Sequence, residues 1–285
     1  MSTEYKALGQ EIIDNGFWIN NERTGKRCRT IPYYDFKYDV SEGIIPALTT
    51  KKVNFKMAIM EMLGYLRGYT SAAQFRAIGC KTWDQNANET KAWLSNPNRK
   101  GTDDIGRSYG PQIRNWQKPG GGTVDQLRKV YDDLKAGYDD RSEILSFLNP
   151  GEKDLCVLNA CMHSHTFTLI DGVLFLKSDQ RSCDVPLGLG FNQIQVAWLL
   201  MIMAQITGNK ASIARHCIVN CHVYEDQYDK FVNVQMPREA IPCQPKLIIN
   251  PDIKTLEDLE TWVTVDDFEI EGYEHHGHIS FPMSA

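Results

Sequence analysis

The sequence predicts an α+β fold, and three observations carry that expectation. Apolar residues recur at helical spacing in both halves of the chain; His165–Ser178 alternates like a β-hairpin; and no repeat or Pro/Ser-rich linker divides the 285 residues. Helices mixed with an antiparallel hairpin in one uninterrupted unit describe a single α+β domain spanning residues 1–285.

Taken in order, Tyr5–Asn15 reads as an amphipathic helix, and the basic segment ERTGKRCRT after it as an exposed loop. Lys56–Arg67 has helical spacing through Met57, Ile59, Met60, Leu63 and Leu66, with Glu61 as a carboxylate in apolar company. Asn86–Asp104 is a polar surface excursion with a short helix at Lys91–Leu94, and Asp125–Lys135 is an amphipathic helix. HTFTLI and GVLFLKS are joined by Asp171-Gly172, a pair that supplies the positive φ of a tight hairpin turn. Val196–Ala204, within NQIQVAWLLMIMAQITG, is apolar on every face and reads as a buried helix ended by Gly208. It also carries Gln193, Gln195 and Gln205. Cys217–Val223, Leu247–Ile249 and Asp267–Ile270 are the remaining strand candidates.

Composition narrows the function classes. With 42% hydrophobic and 24% charged residues the chain is an ordinary globular sequence, not a disordered one. Lys+Arg 31 against Asp+Glu 36 gives a net charge of -5, which disfavours nucleic acid and anionic membranes as principal partners. An anionic ligand then needs a local cluster of cations. Eight cysteines without a CxxC pair, and no signal peptide, fit reduced thiols in the cytoplasm. The apolar stretch at Val196–Ala204 is shorter than the roughly 20 residues of a membrane span.

Three segments carry candidate chemistry. In QRSCDVPLGLGFN, Gln180–Asn192, the guanidinium of Arg181 and hydroxyl of Ser182 suit a phosphate, and the Asn192 amide complements a pyrimidine edge. The competing reading pairs Arg181 with a carboxylate and makes Asn192 a helix cap. In NACMHSHTF, strand alternation puts Cys161, His163 and His165 on one face, as a nucleophile with its base or a metal site. Cys217, Cys221 and His222 are the only other such concentration, too sparse to expect a metal, and a buried inert cysteine competes with both readings. The C-terminal Phe281-Pro282-Met283 suggests a tail that packs over a ligand.

NERTGKR, LTTKK, the Glu61 helix, TWD, Tyr109-Gly110, Cys161, QRSCDVPLGLGFN, CHVY and DDFEIEGY together resemble the thymidylate synthase family along nearly the whole chain. Cys161 precedes Arg181 by 20 residues and Asn192 by 31, and Asn192 precedes His222 by 30, as in that family. The resemblance implies a large mixed sheet with flanking helices, packed sheet to sheet in a homodimer. It implies a methyltransferase that converts dUMP to dTMP with 5,10-methylenetetrahydrofolate as one-carbon donor and reductant, and no metal. Cys161 matches the nucleophile that adds to the uracil ring, with guanidinium groups nearby to favour a thiolate. Arg23, Arg181, Ser182 and, from the partner subunit, Arg141 match the phosphate ligands; Asn192 the uracil reader; His222 and Tyr224 the ribose ligands. Glu61 and Tyr109 match proton-handling groups, and Asp184 the pterin ligand. Trp83, Lys51, Leu158, Gly188, Phe191, Met283 and Ala285 complete the implied folate site.

Departures from the common family pattern cluster near the folate side. Ser142 replaces a second arginine, Gly64 and Asn86 stand where Trp is frequent, and Ala160 and Met162 replace Pro and His around Cys161. About a dozen residues are inserted between Trp83 and Tyr109. A bacterial branch of the family shares much of this pattern. The competing functions are a dUMP or dCMP hydroxymethylase on the same fold, with Asn192 disfavouring dCMP, and a non-catalytic nucleotide- or RNA-binding relative. Apart from the chain's own mRNA, nucleic acid is not expected as a partner.

Overall fold

In the computed structural model, residues 2–22 and 24–283 are described, so the expectations for Arg23 and Ala285 lie outside the described residues. The chain builds a large mixed sheet from β1 (Phe17–Asn21), β2 (Lys26–Asp39), β3 (Ile144–Ser146), β4 (Met162–Ile170), β5 (Val173–Gln180), β6 (Cys183–Asp184) and β7 (Lys210–Tyr224). The spatial order is β1-β2-β7-β5-β4-β3, with β6 also paired to β7. The β5–β7 and β6–β7 pairs are parallel and the rest antiparallel.

The hairpin forms as the sequence predicts, with Asp171 at φ 50 and Gly172 at φ 75 between paired Ile170 and Val173. The expected loop ERTGKRCRT is strand from Lys26 onward, with Cys28 and Thr30 buried. The charges of that strand start are engaged in order. Lys26 pairs with Asp226 and Arg27 with Glu225, while Arg29 donates to the carbonyls of Ile12 and Ile13, at 2.9 and 2.8 Å. Those carbonyls end the first helix, Ser2–Asn15, where a cation is favoured.

The apolar helix runs from Gly190 to Thr207 and stops at Gly208, which caps it at φ 74. The continuous helical run Val185–Thr207 is long and apolar enough to cross a membrane by composition, but 78% of that window is buried inside the fold. Its apolarity is accounted for by packing between the sheet and the Glu61 helix, Phe55–Leu66. Gly64 on that helix has no room for a side chain, because a Cβ would lie 2.2 Å from the Phe75 ring. The remaining two strand candidates pair with each other, Lys246–Ile249 against Phe268–Glu271.

One of the two remaining expectations holds and one needs correction. The polar excursion carries the short helix Lys91–Leu94 as expected, and the structure adds its anchors: Trp93 is buried and its Nε1 donates to Asp104 O at 2.6 Å, while Asn96 and Asn98 donate to Asp154 O. In β4 a bulge between Met162 and Ser164 breaks the alternation, so Cys161, His163 and His165 do not share a face. His165 turns into the core against the Ser178 hydroxyl at 2.7 Å, and His163 stays half-buried.

Candidate active site

Cys161 sits at the entrance of β4, beside Arg181 at the exit of β5. The Arg181 backbone N–H donates to Cys161 O at 2.9 Å, and its guanidinium donates to Ala160 O and Asn159 O at 3.0 and 2.8 Å. Arg181 therefore braces the loop that carries the thiol. Among the described residues its guanidinium meets backbone carbonyls and no carboxylate, which removes the ion-pair reading. Tyr109 closes this loop from below: its hydroxyl accepts the Cys161 N–H at 2.7 Å. Tyr109 holds φ 56, an unusual value for an aromatic residue, and its ring stacks on Tyr65 at 4.4 Å and 8°. Burial, followed by the nearby Cys161, pushes the Tyr109 phenol well above its ordinary value.

From Gln180, the cross-strand partner of Met162 next to Cys161, runs a continuous set of amides. Asn192 Oδ1 accepts from Gln180 Nε2 at 3.1 Å, and its Nδ2 donates to Gln195 Oε1 at 3.2 Å. Gln195 Nε2 donates in turn to Ala58 O at 3.2 Å and Glu61 Oε2 at 2.7 Å, and Glu61 also accepts from the Thr82 hydroxyl. Burial raises the Glu61 carboxyl, and the Thr82 and Gln195 hydrogen bonds oppose that shift. Asn192 is not the helix cap: Asp184 takes that task, accepting from Leu187 N–H at 3.0 Å. Gly188 lies in the same turn, close enough to Asn192 that a Cβ there would sit 3.6 Å from Oδ1.

Asp184 is a second focus. Gln227 Nε2 bridges its Oδ2, at 2.8 Å, to the Pro282 carbonyl at 2.9 Å, so the carboxylate and the C-terminal tail share one amide. Burial raises the Asp184 carboxyl and lowers the Lys51 ammonium to about 8. Lys51 donates to Pro186 O and lies 5.3 Å from the Phe281 ring. A small cavity of about 180 Å³ brings Lys51 and Phe191 together with this tail. Met283, at its described end, is exposed.

The larger cleft, about 870 Å³, is walled by Cys161, Arg181, Ser182, Tyr224 and Leu158. Lys153 lines it too, and so do Glu89, Thr90, Lys91 and Ala92, so the insert reaches the cleft. His222 stands edge-on to Tyr224 at 5.0 Å, its Nδ1 2.8 Å from Asn220 O. Trp83 is buried behind the wall, edge-on to Tyr109 and Tyr65 at 5.8 and 6.1 Å. Arg141 lies apart from the cleft wall on an exposed turn at φ 66, its N–H donating to Asp139.

This juxtaposition of a braced thiol, an arginine, an oriented asparagine and a buried carboxylate is matched by known sequences. A thymidylate synthase family model covers residues 3–285. The chain belongs to the thymidylate synthase family. A thymidylate synthase of Shewanella halifaxensis is 59% identical over 282 residues, and one of Histophilus somni 60% over 282, each spanning 99% of both chains. One of Pasteurella multocida is 59% identical over 281 residues, with the same coverage. Enzymes of this family are methyltransferases, and that activity is this chain's. Sequence reasoning did not single out Gln227, Gln180 or Gln195 as site residues. The three glutamines interrupting the apolar helix, Gln193, Gln195 and Gln205, were a visible signal for Gln195.

Proposed function

We propose that the chain catalyses reductive methylation of dUMP to dTMP, with 5,10-methylenetetrahydrofolate as one-carbon donor and reductant, in the cytoplasm. The observation that carries this reading is the Asn192 amide, held by Gln195 and by Gln180, the cross-strand partner of Met162 next to Cys161. It presents a donor and an acceptor side by side, the complement of the uracil edge.

The Cys161 thiolate adds to the uracil C6, and the electron pair displaced toward O4 is met by Asn192 Nδ2. Tyr109, at the base of the nucleophile loop, takes part through water in removing the C5 proton, and Glu61 holds water at the O4 side. Arg181 and Ser182 take the phosphate, joined by Arg23, while His222 and Tyr224 hold the sugar hydroxyl. The folate supplies the methylene unit and the hydride. Around it, Asp184 would meet the pterin, Trp83, Leu158, Gly188 and Phe191 would pack beside it, and Lys51 and the tail through Met283 and Ala285 would exclude water. The residues present fit such a group: a buried carboxylate, an aromatic wall and a tail tied to that carboxylate through Gln227.

Arg141 completes the phosphate site from a second copy in a sheet-to-sheet homodimer. The support is an apolar outer sheet face: Tyr33 and Val219 are cross-strand partners, 73% and 48% exposed. Product identification tests the chemistry: dTMP with stoichiometric dihydrofolate is expected, and a hydroxymethylated nucleotide without dihydrofolate refutes it. Mixing inactive Arg141→Ala chains with inactive Cys161→Ser chains tests the dimer. Exchange should restore about a quarter of full activity, since one mixed site keeps both residues.

A further inference from the structure

Behind Gln180 the hydrogen-bond chain continues away from the cleft into the core. His216, fully buried on β7, places Nε2 2.8 Å from Gln180 Oε1 and Nδ1 3.0 Å from the Tyr38 hydroxyl on β2. Tyr38 is buried as well, and Gln193 is a further partner of its hydroxyl.

The sense of every link follows from one end. Ser182 O is a backbone carbonyl and only accepts, so the Gln180 atom 2.8 Å from it is the amide nitrogen. That nitrogen also donates to Asn192 Oδ1, which leaves the Gln180 oxygen facing His216 Nε2. His216 Nε2 must then carry a hydrogen. Burial keeps this imidazole neutral, lowering it to about 3, so Nδ1 is bare and accepts from the Tyr38 hydroxyl. Rotating the Gln180 amide by half a turn would set NH2 against the His216 N–H and oxygen against the Ser182 carbonyl. Both contacts are repulsive, and a donor left unpaired at this depth is costly.

We propose that Tyr38 and His216 are positioning residues for pyrimidine selectivity: they hold Gln180 in one amide orientation, and through it hold Asn192 with the donor and acceptor arranged for uracil and not cytosine. Cytosine presents the opposite pattern at the same two edge positions, so accepting it requires Asn192 to turn over. This inference rests on the reading of Asn192 as the residue that meets the pyrimidine edge. Tyr38→Phe releases His216 to take its other tautomer, which removes one of the two obstacles to rotation.

Calorimetric dissociation constants for dUMP and dCMP test the relay in Tyr38→Phe, His216→Leu and His216→Gln, with Asn192→Asp as the control and melting temperature measured in parallel. Tyr38→Phe and His216→Leu should each lower the dUMP preference about tenfold, the value of one hydrogen bond. His216→Gln keeps an amide donor toward Gln180 and should retain the preference within about threefold. A purely structural role would lower the melting temperature in all three and leave selectivity alone. Should His216→Leu fail to fold, Tyr38→Phe, which deletes one oxygen, decides. Unchanged preference in Tyr38→Phe, while Asn192→Asp shifts it, overturns the relay alone; unchanged preference in Asn192→Asp overturns the reading beneath it too.

Discussion

In the amide network next to the Cys161 loop, here called the floor, Asn192 is gripped by Gln180 and Gln195, and those two are fixed by the carbonyls of Ser182 and Ala58. At the rim, Arg141 stands on an exposed turn and the tail reaches exposed Met283, held by the Gln227–Pro282 and Lys230–Ser280 contacts. The floor is made by strands and the central helix, whose geometry is set by packing. Recognition that depends on which atom of an amide points where needs that rigidity. On the proposed function the rim handles charge and closure, for which reach matters more than angle, and part of it comes from another copy. Variants that separate the two regions should therefore fail differently.

The largest expected effect is at the junction of floor and rim. Cys161→Ser should reduce turnover by at least about 10⁴-fold, because a serine hydroxyl is a far weaker nucleophile than a thiolate. Binding of dUMP, measured by calorimetry, should stay within about threefold, since the floor and Arg181 are untouched. Residual turnover near wild type would remove Cys161 from the mechanism. Asn192→Asp comes next and acts on the floor alone: loss of discrimination between dUMP and dCMP by about 10- to 100-fold, or roughly 1.4–2.7 kcal/mol. Arg141→Ala should instead weaken both nucleotides together.

The core around the floor also carries a pH signature. Burial lowers both His165 and His216 to about 3. Their folded values lie below the unfolded one near 6.5, so on acidification the unfolded chain takes up protons first. Stability is full above that value and falls with pH between about 6.5 and 3, by about 1.4 kcal/mol per pH unit for each imidazole. The raised carboxyls of Glu61 and Asp184 act with the opposite sign. His216→Gln should remove its share of the slope in urea unfolding between about pH 6 and 5. An unchanged slope would mean that His216 is protonated in the folded chain, and the tautomer assigned to it would be wrong.

The parts legible in the sequence are those with local causes. Asp171-Gly172 and Gly208 act through their own φ values, and the Gln180–Asn192 block is contiguous. The start and interior of β2 stayed hidden because Lys26–Arg29 is mostly charged and Pro32 with Tyr33-Tyr34 interrupts the alternation. The floor network was out of reach for another reason. Tyr38 and His216 are 178 positions apart, and Gln195 and Glu61 134 apart, so no spacing within the chain announces either contact. Glu61 could be seen to need a partner, but its partner could not be named.

The smallest expected effect concerns Ser142, which from sequence reads as a missing cation. In the fold its hydroxyl and N–H both donate to Asp140 Oδ1, and Lys129 Nζ joins Asp140, Ser142 and the buried Glu143 at 3.1, 3.2 and 2.6 Å. This clamp shapes the turn on which Arg141 holds φ 66. Ser142→Arg therefore adds a charge while releasing the turn that aims its neighbour, and the two changes oppose each other. The net change in KM for dUMP should stay within about threefold, as for a partly exposed charge. Ser142→Gly removes the hydroxyl without adding a cation, and should weaken dUMP binding about twofold to threefold. A tenfold gain in Ser142→Arg, with Ser142→Gly unchanged, would show that the missing charge and not the clamp sets affinity at the rim.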